Sequence, residues 1–264
     1  MSQIIYPIIA MYTMTIALAL CKIKQKKPVS NKIILTSGIT ALTMHTALLI
    51  SIMFAGKNGM IINIPTANSL INIMIGVFFI ALINKEKFLF LLPAVYSFSI
   101  LSVILLYFFQ YETNSIKPKL EIIIHAATSL IAYSIFIIAS LYAVQLQITR
   151  HILKNKKIIQ NQNLFPSVVG SEKMIIRLVK MGVICLTISL LTGIIFIDNF
   201  FQIELRNKVI ISITAWLLYM HMIYQSYKHG CKTTTYTLYT ISGGVLLTSA
   251  YFGTKIIKDF MLTS

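Results

Sequence analysis

The sequence predicts an all-α fold: a polytopic transmembrane helix bundle of about eight spans, with both termini on the outer side of the membrane. Three observations predict it. Hydrophobic residues make up 57% of the 264 positions and charged residues only 11%, against roughly 25% charged in a soluble domain. Apolar windows recur along the chain at the length of about 20 residues that a hydrocarbon core requires. The basic residues behind the net charge of +16 gather in alternate segments between those windows, which is how cytoplasmic loops are marked. On so apolar a chain this charge excludes a nucleic-acid binder and points to a membrane anchored on its basic side.

The windows run approximately Ile4–Cys21, Ile33–Phe54, Ser69–Asn84, Phe88–Gln110, Ile122–Leu146, Met174–Ile197, Val209–Tyr227 and Tyr239–Ile257. The first is followed by lysines rather than a small-residue cleavage site, so it reads as a retained helix. Lys22, Lys24, Lys26, Lys27 and Lys32 follow span 1, and Lys85 and Lys87 follow span 3. Arg150, Lys154, Lys156, Lys157 and Lys173 follow span 5, and Lys228 and Lys232 follow span 7. Those segments are assigned to the cytoplasm. The sparser set, with Lys57, Lys117, Lys119, Arg206, Lys208, Lys255 and Lys258, is assigned to the outer side. Pro93 is expected to kink span 4, as membrane helices tolerate. Pro166 to Gly170 reads as loop, with Ser171 and Glu172 capping the helix of span 6. No internal repeat is evident, and residues 1–264 read as a single transmembrane helical domain.

The chemistry-bearing residues are few. None of the three cysteines (Cys21, Cys185, Cys231) falls in an outer loop or a CxxC, which argues against a disulfide framework. All seven acidic residues lie at loops or span ends, so no midplane carboxylate favours a coupled transporter. Nucleophile, phosphate-loop and HExxH signatures are absent, and the chain is not expected to be an enzyme. His151 and His229 sit among lysines. His221 lies within span 7, towards the cytoplasmic half. His45 in span 2 and His125 in span 5 fall roughly 13 and 6 Å below the outer boundary at 1.5 Å per residue. Gly38, Ala41 and His45 share one helix face, as do His125, Ser129, Ala132 and Tyr133. Small residues beside an intramembrane histidine admit another helix or a flat ring. Two imidazoles at similar depth suit a haem held without covalent attachment, while a helix-packing role suits each histidine taken singly.

Span 5 reads His125-Ala-Ala-Thr-Ser-Leu-Ile-Ala-Tyr133 and continues to Ser140-Leu-Tyr-Ala-Val-Gln145. Span 7 holds Ser212-Ile-Thr-Ala-Trp216-Leu-Leu-Tyr219, span 8 holds Ala250-Tyr-Phe-Gly253, and Ile64-Pro65-Thr-Ala-Asn68-Ser69-Leu70 precedes span 3. In order and spacing these segments resemble the cytochrome c assembly family of haem-handling membrane proteins, over essentially the whole chain. A branch of that family carries eight spans, a histidine in span 2, and proline followed by Glu-Lys before span 6, here Pro166 to Lys173. The resemblance implies a bacterial inner-membrane location, a non-covalent haem b, and a cytochrome c maturation partner. It implies His125 as an iron ligand, to which depth and the span-2 histidine add His45 as the second, with Tyr133 and Trp216 as further cofactor-binding residues. The chain departs from the family where it lacks a tryptophan-rich outer loop, since Asp198 to Arg206 contains no tryptophan, and a late histidine after Gly253. At the position where one branch has a helical histidine it carries Tyr224. Two functions are therefore set against each other. One is a haem-handling protein with a bis-histidine site in the outer half of the bilayer. The other is a structural or accessory membrane subunit whose histidines only tie helices together.

Overall fold

The computed structural model describes residues 2–24, 29–56, 59–82, 89–108, 115–154, 167–197, 203–228 and 233–253. They form eight α-helices: α1 (Ser2–Ile23), α2 (Asn31–Met53), α3 (Ile64–Leu82), α4 (Leu92–Phe108), α5 (Leu120–Lys154), α6 (Val168–Phe196), α7 (Ile203–Lys228) and α8 (Thr233–Thr248). A π-helical turn, Ser249–Gly253, prolongs α8. The chain is thus a polytopic helical membrane protein. Six of the helices are long and apolar enough to cross a membrane. The other two are shorter, α4 with 17 residues and α8 with 16.

The chain divides into two compact units, one holding α1–α4 and the other α5–α8. In the first, the principal helix pairs are α1·α2, α2·α3, α3·α4 and α1·α4, so four helices close a ring in sequence order. The segments after α2 and α4 meet in a short antiparallel pair, β1 (Met60–Ile61) with β2 (Ser115–Ile116). In the second, α5·α6, α6·α7, α7·α8 and α5·α8 close a ring in the same order.

Each unit folds because a narrow stripe of every helix is buried while the rest faces lipid. On α1, Ile8, Tyr12, Thr15 and Ala19 are fully buried, at spacings of four, three and four that keep one face inward. On α5, Ala132, Phe136, Ala139, Ala143 and Leu146 do the same. Alanine at alternate turns lets neighbouring backbones approach, which is how helices associate where lipid is as apolar as the side chains. Outside these stripes, Val77, Phe98, Ile195, Leu238 and Val245 are each more than half exposed. Such surfaces are stable against hydrocarbon and not against water.

Several boundaries differ from the sequence-based expectations. Pro93 is the second residue of α4. In a first turn its missing N–H has no helical acceptor to lose, so it starts the helix instead of kinking it. The cap of α6 is Ser167, whose hydroxyl accepts from the Gly170 amide at 3.1 Å. Ser171 and Gly170 lie within the helix, and Ser171 is buried with its hydroxyl unpartnered. Pro166 lies outside the described residues. The segment Ile64–Leu70 belongs to α3 itself. Asn63 and Thr66 cap that helix reciprocally: the Asn63 side chain accepts from the Thr66 amide at 3.0 Å, and the Thr66 hydroxyl from the Asn63 amide at 2.9 Å. Helix α5 runs to Lys154, beyond the expected end at Leu146, with Glu121 in its first turn and Lys154 in its last, both suited to the helix dipole. Helix α7 begins at Ile203, so Arg206 and Lys208 are helical rather than loop residues. Among the lysines used for orientation, Lys26, Lys27, Lys57, Lys85, Lys87, Lys156, Lys157, Lys232, Lys255 and Lys258 lie outside the described residues. So do His229, Cys231, Asp198 and the end of span 8 beyond Gly253.

Candidate functional site

Helix α2 presents Gly38, Ala41 and His45 along its buried face. His45 is fully buried, and both ring nitrogens are engaged within the first unit. Nδ1 lies 3.0 Å from the Tyr12 hydroxyl of α1, and Nε2 lies 3.2 Å from Ser69 Oγ of α3. Ser69 Oγ is in turn 2.8 Å from Ser102 Oγ of α4, to which the Asn68 side-chain amide donates at 3.2 Å. One histidine therefore joins all four helices of its unit through buried hydrogen bonds. The Tyr12 ring meets the imidazole edge-on, 5.9 Å between centroids at 90°. Tyr96 packs on Tyr12 from α4 at 5.2 Å. Gly38 makes room for Tyr96, since a Cβ there would lie 2.5 Å from the Tyr96 hydroxyl.

His125 is held differently. It sits near the start of α5, partly exposed, and its Nδ1 is 2.9 Å from the Ser189 carbonyl of α6. A carbonyl only accepts, so Nδ1 carries the proton and the neutral ring directs its lone pair to Nε2. Nε2 makes no hydrogen bond to any described residue. A backbone carbonyl fixing one nitrogen while the other remains available is the arrangement that orients metal-binding histidines. The Thr192 hydroxyl lies 3.4 Å from the same Nδ1 and donates to the Ser189 carbonyl at 3.0 Å.

Two turns along α5 the Tyr133 hydroxyl bonds Thr248 Oγ1 of α8 at 2.9 Å. Its ring packs on Tyr251 at 4.8 Å and Phe252 at 6.1 Å. Both partners sit on the π turn. Such turns recur at functional sites. Lys208 of α7 lies over the Tyr251 ring, its Nζ 4.8 Å from the centroid. The His125, Ser129, Ala132 and Tyr133 face thus converges with α6, α7 and the π turn within the second unit.

Trp216, expected at the site, donates its indole N–H to Thr187 Oγ1 of α6 at 2.9 Å. The α6 stretch 187–192 therefore holds both Trp216 and His125. His45 belongs to the other unit, with its own partners. His221 is exposed, 3.2 Å from the Gln225 side chain, and Tyr224 carries the Lys228 ammonium on its hydroxyl at 3.1 Å. Sequence reading missed the Ser189 carbonyl, a backbone acceptor that no motif encodes. It also missed Tyr12, although the spacing of Ile8, Tyr12, Thr15 and Ala19 marks it as core, and it counted Lys208 as a loop charge. Among the described residues no group of three or more His, Cys, Asp or Glu side chains is placed to hold a bare metal ion.

The family model described as cytochrome C assembly protein matches residues 8–262. The inner membrane protein YpjD of Escherichia coli is 30% identical over 252 residues, 95% of each chain, in strain K12 and equally in strains O6:H1 and O157:H7. No solved structure gives a significant match.

Proposed function

The chain belongs to the cytochrome c assembly protein family, and from that premise we propose that it binds haem b non-covalently in the inner membrane, with His125 as the iron ligand. Membership supports a haem-handling or cytochrome c assembly role. The ligand assignment rests on one observation: Nδ1 of His125 is spent on the Ser189 carbonyl and Nε2 is left with its lone pair. Bound haem supplies an iron whose behaviour is set by its axial ligands and surroundings.

This chain's own residues do the rest. Ser189 and Thr192 orient the imidazole. Tyr133, with Tyr251 and Phe252 packed on it, offers aromatic surface two turns along the same face of α5. The role is binding and positioning, not bond-making, and the partner class is another component of cytochrome c maturation.

The spectrum of protein purified from haem-replete membranes tests this. A Soret band in the wild type, lost or shifted in His125→Ala, supports it. A colourless wild-type protein overturns it. Spin state reads the second ligand: a low-spin bis-imidazole spectrum that turns high-spin in His45→Gln would make His45 a second ligand. One specific observation favours the alternative for that residue. Both nitrogens of His45 already have partners, so ligation costs it the bond to Tyr12 or to Ser69. A low-spin spectrum unaffected by His45→Gln leaves His45 as a packing residue, the role the accessory-subunit reading gives it.

A further inference from the structure

Resting on that reading of His125, we propose that Lys208 receives a carboxylate of the bound tetrapyrrole, so that the site selects a porphyrin carrying free propionates. An ionisable side chain within a membrane helix demands a partner. Lys208 stands in α7 at the third position of the membrane-spanning stretch Arg206–Lys228 and is partly buried. Its ammonium rests over the Tyr251 ring at 4.8 Å, a contact that favours the cation without neutralising it. Neither Glu121 nor Glu172, the carboxylates whose side chains are described, pairs with it: Glu121 is exposed on α5, and Glu172 accepts from the Thr233 hydroxyl.

The ammonium also has a direction. It rests on Tyr251, which packs against Tyr133, and Tyr133 shares the α5 face that carries His125 two turns earlier. A ligand anchored by its metal at Nε2 of His125 and flanked by those rings must be flat, aromatic and anionic at its edge for all three contacts to be used. The π turn matters here because it brings Tyr251 between Tyr133 and Lys208.

Two anions share this chemistry, a porphyrin propionate and a lipid phosphate, and one titration separates them. The chain has a single tryptophan, Trp216, on the same helix as Lys208, and bound porphyrin quenches its fluorescence. Purified full-length protein in detergent is titrated with haemin and with haemin dimethyl ester, which keeps ring and iron but has no free carboxylate. The wild type should bind haemin at least about ten-fold more tightly than the ester, on the scale of one charge-assisted hydrogen bond. Lys208→Met should bind both with the weaker, ester-like affinity, and Lys208→Arg should keep the preference for the acid. Glu204 stands four positions before Lys208, a spacing at which helix charges pair. Glu204→Gln should leave the preference intact, and its loss in that variant would make Glu204 the determinant instead. Equal affinity for acid and ester in the wild type overturns the inference and assigns Lys208 to lipid phosphate, with the haem reading untouched. Absence of quenching by either compound overturns the haem reading itself, and the inference with it.

Discussion

The two four-helix units close their rings in the same order and put a histidine to opposite uses. In the first, His45 is fully buried and both nitrogens are spent, on Tyr12 and Ser69. In the second, His125 is half-open, with Nδ1 spent on a backbone carbonyl and Nε2 unspent. A histidine satisfied on both sides is a tie between helices, because removing it leaves buried hydroxyls without partners. A histidine satisfied on one side is an oriented base or ligand. Depth in the membrane does not distinguish the two; the hydrogen-bond count does.

The largest expected effect breaks this comparison at its open end. His125→Ala should abolish the Soret band while lowering thermal stability little, because the ring is partly exposed and gives up one hydrogen bond. Absorbance and a melting curve on the same sample check both halves. The mirror experiment is His45→Ala. It should cost about 3 kcal/mol, a cavity plus the orphaned Tyr12 hydroxyl, and lower the melting temperature clearly. If its melting curve matches that of the wild type, His45 is not the tie described above.

Smaller changes sharpen the contrast. Gly38→Ala forces a methyl onto the Tyr96 hydroxyl and should destabilise by about 1–3 kcal/mol through overpacking, read as a fall in melting temperature with the haem spectrum unchanged. Ser69→Ala leaves His45 Nε2 unpaired and should cost about 1 kcal/mol, the usual worth of a hydrogen bond between membrane helices. The smallest effect separates two serines on α6. Ser167→Ala removes the cap and should cost about 1 kcal/mol. Ser171→Ala removes a buried hydroxyl that has no partner and should be neutral or slightly stabilising. The reverse ranking in melting temperature would return the cap to Ser171.

Much of this was legible in the chain. The apolar windows located the eight described helices, six of them long and apolar enough to cross a membrane, because a bilayer requires about 20 apolar residues wherever a helix crosses it. Their ends were less legible. Helix α5 continues to Lys154 and α7 starts at Ile203, since a helix stops where its caps are and not where its apolarity fades. The shared face of His125, Ser129, Ala132 and Tyr133 could be read because residues three, four, seven and eight apart align on any α-helix.

The sequence by itself therefore determined the helical membrane class, the inner-membrane family and His125 as the residue to examine. These depend on local periodicity and on the solvent in which the chain folds. Tertiary structure alone decided what each histidine is free to do. The Ser189 carbonyl that fixes the His125 tautomer, the Tyr12 and Ser69 hydroxyls that saturate His45, and the π turn that sets Tyr251 between Tyr133 and Lys208 come from helices distant in sequence. A backbone acceptor is present at every residue, so only the packing of α5 against α6 could select the one that leaves Nε2 of His125 open.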